Sequence, residues 1–345
     1  MDHRQAVAAS SNKVSLADVA RRAGVSPATV SRVLNGTAGV RPEILSRVRQ
    51  ACNELGYMPN GAARALSTRR SKTIGAIVPS IENEGFAKAI AALQRHLNDA
   101  GYSLLLASSD YDSLRELHEA RLLLSRGVDG MVLVGASHDA ALVQLLEQQG
   151  VPVVETWTIS KDQPSVGFDN TEAAYSVAQY LVNLGHRNVG VIAGSPEHND
   201  RAAERASGIR ECLAAHGLSV HSEIHVERPY LISEGKSAIQ AMMSGPSSPT
   251  AVICGNDQIA FGAMIGAKTM GLAVPQDVSI TGFNDFDWAA YLTPSLTTVR
   301  VPAQDIGAAA AKYILKCLSG AVLPKFIEIP VNLVVRGSTA PPTRV

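Results

Sequence analysis

From residue 74 onward, short β-branched runs alternate with longer segments of helical period, and that rhythm leaves few architectures open. Strands are expected at 74–78, 103–107, 129–134, 152–156, 188–193, 250–254 and 278–282. Helices are expected at about 86–100, 114–125, up to Gly150, and at 171–184, 201–216 and 257–270, with Gly101 and Gly127 among the stops. Repeated βα units dictate parallel sheets with helices on both faces. A single sheet would need more strands than is usual, so the expected body is two doubly wound α/β lobes. Ligands of such sheets bind beyond the carboxyl ends of the strands. Two lobes place two sets of strand ends across one cleft.

The residues at those ends are chemically coherent. Ser80 and Phe86 follow the first strand, Trp157 the fourth, and Asp169 and Asn170 lie further on. Asn199, Arg201 and Arg205 follow 188–193, Tyr230 lies between strand-like and helical segments, Asn256 and Asp257 follow 250–254, and Asn284 follows Gly282. Asn, Asp and Arg hold hydroxyl pairs, a planar Arg pairs bidentately with a carboxylate, and Phe86, Trp157 and Tyr230 offer faces for a sugar ring. Each also has a packing role open to it: Phe86 and Trp157 as core, Asp169 and Asp257 as helix caps, Arg201 as a surface charge.

The N-terminal segment is built differently. The chain carries 31 Lys+Arg and 31 Asp+Glu, but residues 1–72 hold 12 basic and 4 acidic side chains, so a head of +8 precedes a body of −8. A basic head on an acidic body points to a polyanion-binding module. Ser15 can cap a helix with Asp18 three residues on, and Leu16, Val19, Ala20 and Ala23 form one apolar stripe. Gly24 permits a tight turn. Ser26 then caps a second helix with Pro27 at its first position, and Val30, Val33 and Leu34 face inward. Pro42 opens a third helix through Gly56, with Ile44, Val48, Cys52 and Leu55 as its buried stripe. Two short helices joined by a Gly-bearing turn form a DNA-reading unit. Pro27, Ala28, Thr29, Ser31, Arg32 and Asn35 are left outward or at the ends, and Arg32 can donate two bonds to guanine O6 and N7. A three-helix protein-interaction domain is the alternative.

The run VSLADVARRAGVSPATVSRVLNG at 14–36 resembles the DNA-binding head of the lac repressor/purine repressor (LacI–GalR) family, and YMPNGAARAL at 57–66 resembles that family's hinge. The likeness extends from about Lys13 to Val335. It implies a head at 1–58, a hinge at 59–72 and a body at 73–345 whose lobes are similar to periplasmic sugar-binding proteins. Lobe one would hold about 73–169 plus 302–329, and lobe two about 171–297 plus 331–345, with crossovers near 168–171, 297–302 and 329–331. It also implies a DNA-binding set of Ser26, Pro27, Ala28, Thr29, Ser31, Arg32, Asn35, Tyr57, Asn60, Ala63 and Leu66, with Leu66 wedged into the minor groove. The hinge is too short to be a stable helix alone, so it is expected to order when two copies pair on DNA.

The same resemblance places Arg205, in Arg-Ala-Ser-Gly208, as the effector-holding arginine and matches Asn256-Asp257 to the family's Asn-Asp pair. The expected effector set is Ser80, Phe86, Trp157, Asp169, Arg201, Arg205, Tyr230, Asn256, Asp257 and Asn284. Asn284 stands where the family carries a ligand-binding Asp. The stretches 152–157 and 166–170 look closest to regulators of gluconate and related sugar-acid use.

Other classes fit less well. A sugar-metabolising dehydrogenase needs a dinucleotide fingerprint after 74–78, and PSIENE at 79–84 is not one. A solute-binding protein shares the lobes but not the basic head, and residues 1–12 contain no apolar signal region. Cys52, Cys212, Cys254 and Cys317 form no CxxC, which speaks against a zinc or iron–sulfur site and fits a reducing, cytoplasmic compartment. The expectation is a ligand-responsive regulator, not an enzyme, without cofactor or metal. Its partners are a near-palindromic DNA operator, a sugar or sugar-acid effector and a second copy of itself, with no membrane involved.

Overall fold

The computed structural model describes residues 14–34, 39–58, 70–160, 163–197, 199–226, 230–245 and 247–343. The chain divides into two compact units at Ser71/Lys72.

The N-terminal unit is three helices, α1 (Leu16–Ala23), α2 (Pro27–Leu34) and α3 (Pro42–Leu55). A full capping box starts α1: the Ser15 hydroxyl accepts from the Asp18 amide and the Asp18 carboxylate accepts from the Ser15 amide. Gly24 ends it in the left-handed region, at φ 65°, which a side chain would strain. The Ser26 hydroxyl accepts the Thr29 amide at 3.2 Å to open α2. Val19, Ala20, Ala23, Val30, Val33, Val48 and Ala51 form the core, and Arg22 pairs with Glu54 to tie α1 to α3. The stripe of α3 differs from expectation. Ile44, Cys52 and Leu55 are only partly buried, because the small Ala51 faces the crossing with the other helices.

The second unit holds two six-stranded sheets. Sheet one runs β11 (Phe326–Glu328), β5 (Ser165–Gly167), β4 (Val153–Thr156), β3 (Gly130–Val134), β1 (Thr73–Val78), β2 (Ser103–Ser108). Sheet two runs β12 (Asn332–Val334), β10 (Thr297–Arg300), β9 (Ser279–Asn284), β8 (Ala251–Cys254), β6 (Val189–Gly194), β7 (Val220–Val226). All pairings are parallel except β10 with β12. Helices α4 (Glu84–Asp99), α5 (Ser113–Ser125), α6 (Ala140–Gln149) and α11 (Ala303–Leu318) pack on sheet one. Helices α7 (Asn170–Asn183), α8 (Asp200–Ala215), α9 (Ile232–Met243) and α10 (Asp257–Thr269) pack on sheet two. Apolar side chains such as Ile74, Leu97, Leu181 and Ile192 are fully buried between the layers, each contributing roughly 1.5–3 kcal/mol by leaving water.

The strand-like and helical segments on either side of Tyr230, which the sequence leaves without bounds, are β7 and α9. β7 reads VHSEIHV and lies at a sheet edge, so polar side chains interrupt its apolar run. The two sheets share one order, in which the second strand lies outside the first and the third on the first's other side. Each therefore has a switch point, between β1 and β3 and between β6 and β8, where the following loops part and leave a crevice.

Candidate functional site: the second helix and the interlobe cleft

On the head, Ser26, Pro27, Ala28 and Arg32 are exposed along α2, and Thr29 and Ser31 are half-buried. The Thr29 hydroxyl lies 2.9 Å from that of Ser26, which fixes the start of the helix. Tyr57 packs partly against the head core. Asn35, Asn60, Ala63 and Leu66 lie outside the described residues.

In the body, loops from both switch points meet. Asn83, Asn199 and Asn256 cap α4, α8 and α10, each accepting backbone N–H groups of its helix through Oδ1. All three line one cavity, so three positive helix ends converge there. Phe86, Tyr111, Trp157, Phe168, Asn170, Arg201, Arg205, Tyr230 and Asn284 complete the wall. The free space is about 50 Å³. Asn83, Tyr111 and Tyr230 also bound a neighbouring space of about 550 Å³.

The wall is internally bonded. Arg205 Nη1 donates to Asn170 Oδ1 at 2.8 Å, and Asn170 Nδ2 donates to the Trp157 carbonyl at 2.9 Å. The Arg205 guanidinium lies 4.7 Å from the Phe283 ring centre, and its buried Nε has no hydrogen-bond partner. Phe86 and Trp157 meet edge to face at 5.1 Å, and Tyr111 and Tyr230 at 5.5 Å. Asn199 Nδ2 donates to the Tyr230 hydroxyl at 3.0 Å. Burial and the neighbouring Arg201 lower the pKa of Arg205 to about 10, and burial pushes the Tyr111 phenol up to about 12. Tyr111, Trp157, Tyr230 and Asn284 all hold positive φ, at 60°, 69°, 38° and 120°. Such backbones cost roughly 1–3 kcal/mol each and cluster at ligand sites.

The family of periplasmic binding proteins and the sugar-binding domain of the LacI family matches residues 71–336, and that of bacterial regulatory proteins of the lacI family matches 15–60. The chain belongs to the LacI family of bacterial regulators. It is 33% identical to catabolite control protein A of Priestia megaterium, over 94% of this chain and 99% of that protein. It is 34% identical to the transcriptional repressor PurR of Escherichia coli, over 94% and 96%. A lac repressor dimer bound to operator and an anti-inducer superimposes with a TM-score of 0.86 at 27% identity, over 95% of this chain and all of that one. This LacI-family protein is a transcriptional regulator with a helix-turn-helix head and an effector-binding body.

Of the residues expected to meet its effector, Phe86, Trp157, Arg201, Arg205, Tyr230, Asn256 and Asn284 converge on the cavity. Ser80 lines the neighbouring space instead. Asp169 is exposed and caps α7 through the Glu172 amide at 2.9 Å. Asp257 lies behind the wall, fully buried, accepting from the Phe286 amide at 2.7 Å and the Thr298 hydroxyl at 2.5 Å. In the Asn-Asp pair, then, Asn256 faces the cleft and Asp257 braces the turn after β9. Asn83 and Tyr111 were missed. Asn83 reads as a helix cap, and Tyr111 sits in an exposed, polar Asp-Tyr-Asp turn where its ring is half-buried against Tyr230 of the other lobe.

Proposed function

We propose that this regulator represses transcription by binding a near-palindromic operator as a homodimer, and that a sugar-type small molecule seated between the lobes sets its operator affinity. The division is a head at 1–58, a hinge at 59–72 and a body at 73–345. Pro27, Ala28 and Arg32 read base edges, Thr29 and Ser31 hold phosphates or base edges, and the hinge orders when two copies pack together on DNA, which it meets through Asn60, Ala63 and Leu66. Operator binding assigns the protein to the cytoplasm.

The observation that carries this reading is the pairing, in one chain, of an exposed α2 bearing Arg32 with a cleft lined from both lobes by amides, guanidinium groups and aromatic rings. Aromatic faces with a few convergent polar groups suit a small polyhydroxylated ligand. Free space of about 50 Å³ is well below the roughly 300–1,000 Å³ of common ligand pockets, so the lobes must part to admit it. Selection of the purified protein on randomised duplexes, followed by gel shift, tests the reading. A near-palindromic consensus bound with one dimer per duplex supports it, and binding without sequence preference contradicts it.

A further inference from the structure

The cavity wall is one-sided in charge. Among the described residues that line it are two guanidinium groups, five side-chain amides and two phenols, and no carboxylate. The nearby acids are engaged elsewhere. Asp200 accepts from Arg201 Nη1 at 2.8 Å through one oxygen and from the Ala136 amide at 2.6 Å through the other. Asp257 is turned to Phe286 and Thr298. Burial, with the charges of Asp200 and Asp169, raises the pKa of Glu204. The Tyr111 phenol, at about 12, stays protonated and supplies no charge either.

Arg201 and Arg205 therefore stand together on the wall, with Arg201 hydrogen-bonded to the Asp200 carboxylate and Arg205 to the neutral Asn170 amide. The amino ends of α4, α8 and α10 add partial positive charge from three directions. Buried charge that is not compensated is costly. The Arg205 Nε–H is an unused donor. Asn284 offers amide chemistry and no negative charge.

We infer that the effector is a polyhydroxylated anion whose acid group is held by Arg201 and Arg205, with Arg201 as the residue that selects for the charge. This rests on the cleft being the effector site. The acid group, carboxylate or phosphate ester, takes the Arg205 Nε–H and a free N–H of Arg201 and neutralises the pair. The hydroxylated body meets Asn83, Asn199 and Asn256, and its apolar face meets Trp157. Asp200 is a positioning residue. By holding both Arg201 and the Ala136 amide it ties α8 of lobe two to the loop after β3 of lobe one, so Arg201 is aimed only when the lobes are closed.

The test is calorimetric titration of the full-length protein with matched sets: six-carbon aldonates and uronates, the corresponding sugar phosphates, and their parent aldoses and alditols. At least one acid is expected to bind tenfold or more tighter than its neutral parent. In Arg201→Gln the ratio of acid to parent affinity should fall to about one, and Arg201→Lys should restore part of it. Circular dichroism melting verifies that the variants fold. A carboxylate or a phosphate preference identifies the acid group. A neutral parent that binds as tightly as its acid, or an acid preference that survives in Arg201→Gln, overturns the inference and leaves the cleft reading intact. No binding by any compound overturns both.

Discussion

Lys88 and Asp287 join the two lobes at the cleft's edge, Nζ to Oδ1 at 2.6 Å. The Asp287 amide also donates to Glu84 at 2.9 Å, so the amino end of α4 and the turn at Asp287–Tyr291 are held twice. Because Asp287 is largely exposed, the pair should add less than about 1 kcal/mol to stability. Its effect should fall on closure. Lys88→Met is expected to melt close to the parent while releasing effector several-fold faster, measured by stopped-flow dissociation.

Arg32 projects from α2 with its guanidinium exposed. Arg32→Ala should cost roughly 1–3 kcal/mol at the preferred operator and flatten discrimination at one base pair per half-site, as loss of a bidentate guanine contact does. Gel-shift titration over single-base operator variants checks this. Uniform weakening across all variants would mark a phosphate contact instead.

The Arg205-x-x-Gly208 spacing has a steric cause. Arg205 faces the cleft, and Gly208, one turn on, lets α8 pack against the Thr171 carbonyl of α7, which a methyl at that position would strike. Gly208→Ala gains up to about 1 kcal/mol of helix propensity, but overpacking typically costs about 1–3 kcal/mol. The variant should melt lower than the parent and bind effector more weakly, because Arg205 is displaced with its helix.

His138 is buried, with Nδ1 3.0 Å from Glu116, and Nε2 3.2 Å from the Gly135 carbonyl and 3.8 Å from Glu155. Burial opposes its charged form, but the hydrogen bond and charge of Glu116 and the charge of Glu155 outweigh it and raise the pKa. A raised folded-state value means stability is fully present below the ordinary pKa of 6.5 and is lost as pH rises through the folded value. His138→Gln should therefore lower the melting temperature more at pH 6 than at pH 9. An equal deficit at both would contradict this.

Much of the body was legible because buried parallel strands leave apolar runs at regular spacing. What escaped has physical causes. β5, β11 and β12 have three residues each, too few to carry a period. The roles of Asn256 and Asp257 could not be separated, since adjacent residues at a helix start point in different directions that only the packed lobe fixes. Arg201 and Arg205 were readable from their place after β6. Tyr111 was not, because its burial depends on a residue 119 positions away in the other lobe.

The central claim is that the cleft and the head are coupled. Coupling is reciprocal in free energy, so an effector that changes operator affinity must itself bind operator-bound and free protein differently. The decisive measurement is titration of the tightest-binding compound of the matched sets into free protein and into protein saturated with its operator duplex. The account predicts affinities that differ by roughly 5–150-fold, as in typical allosteric systems: weaker binding to the operator complex for an inducer, tighter binding for a corepressor. Equal affinities in the two titrations would contradict it.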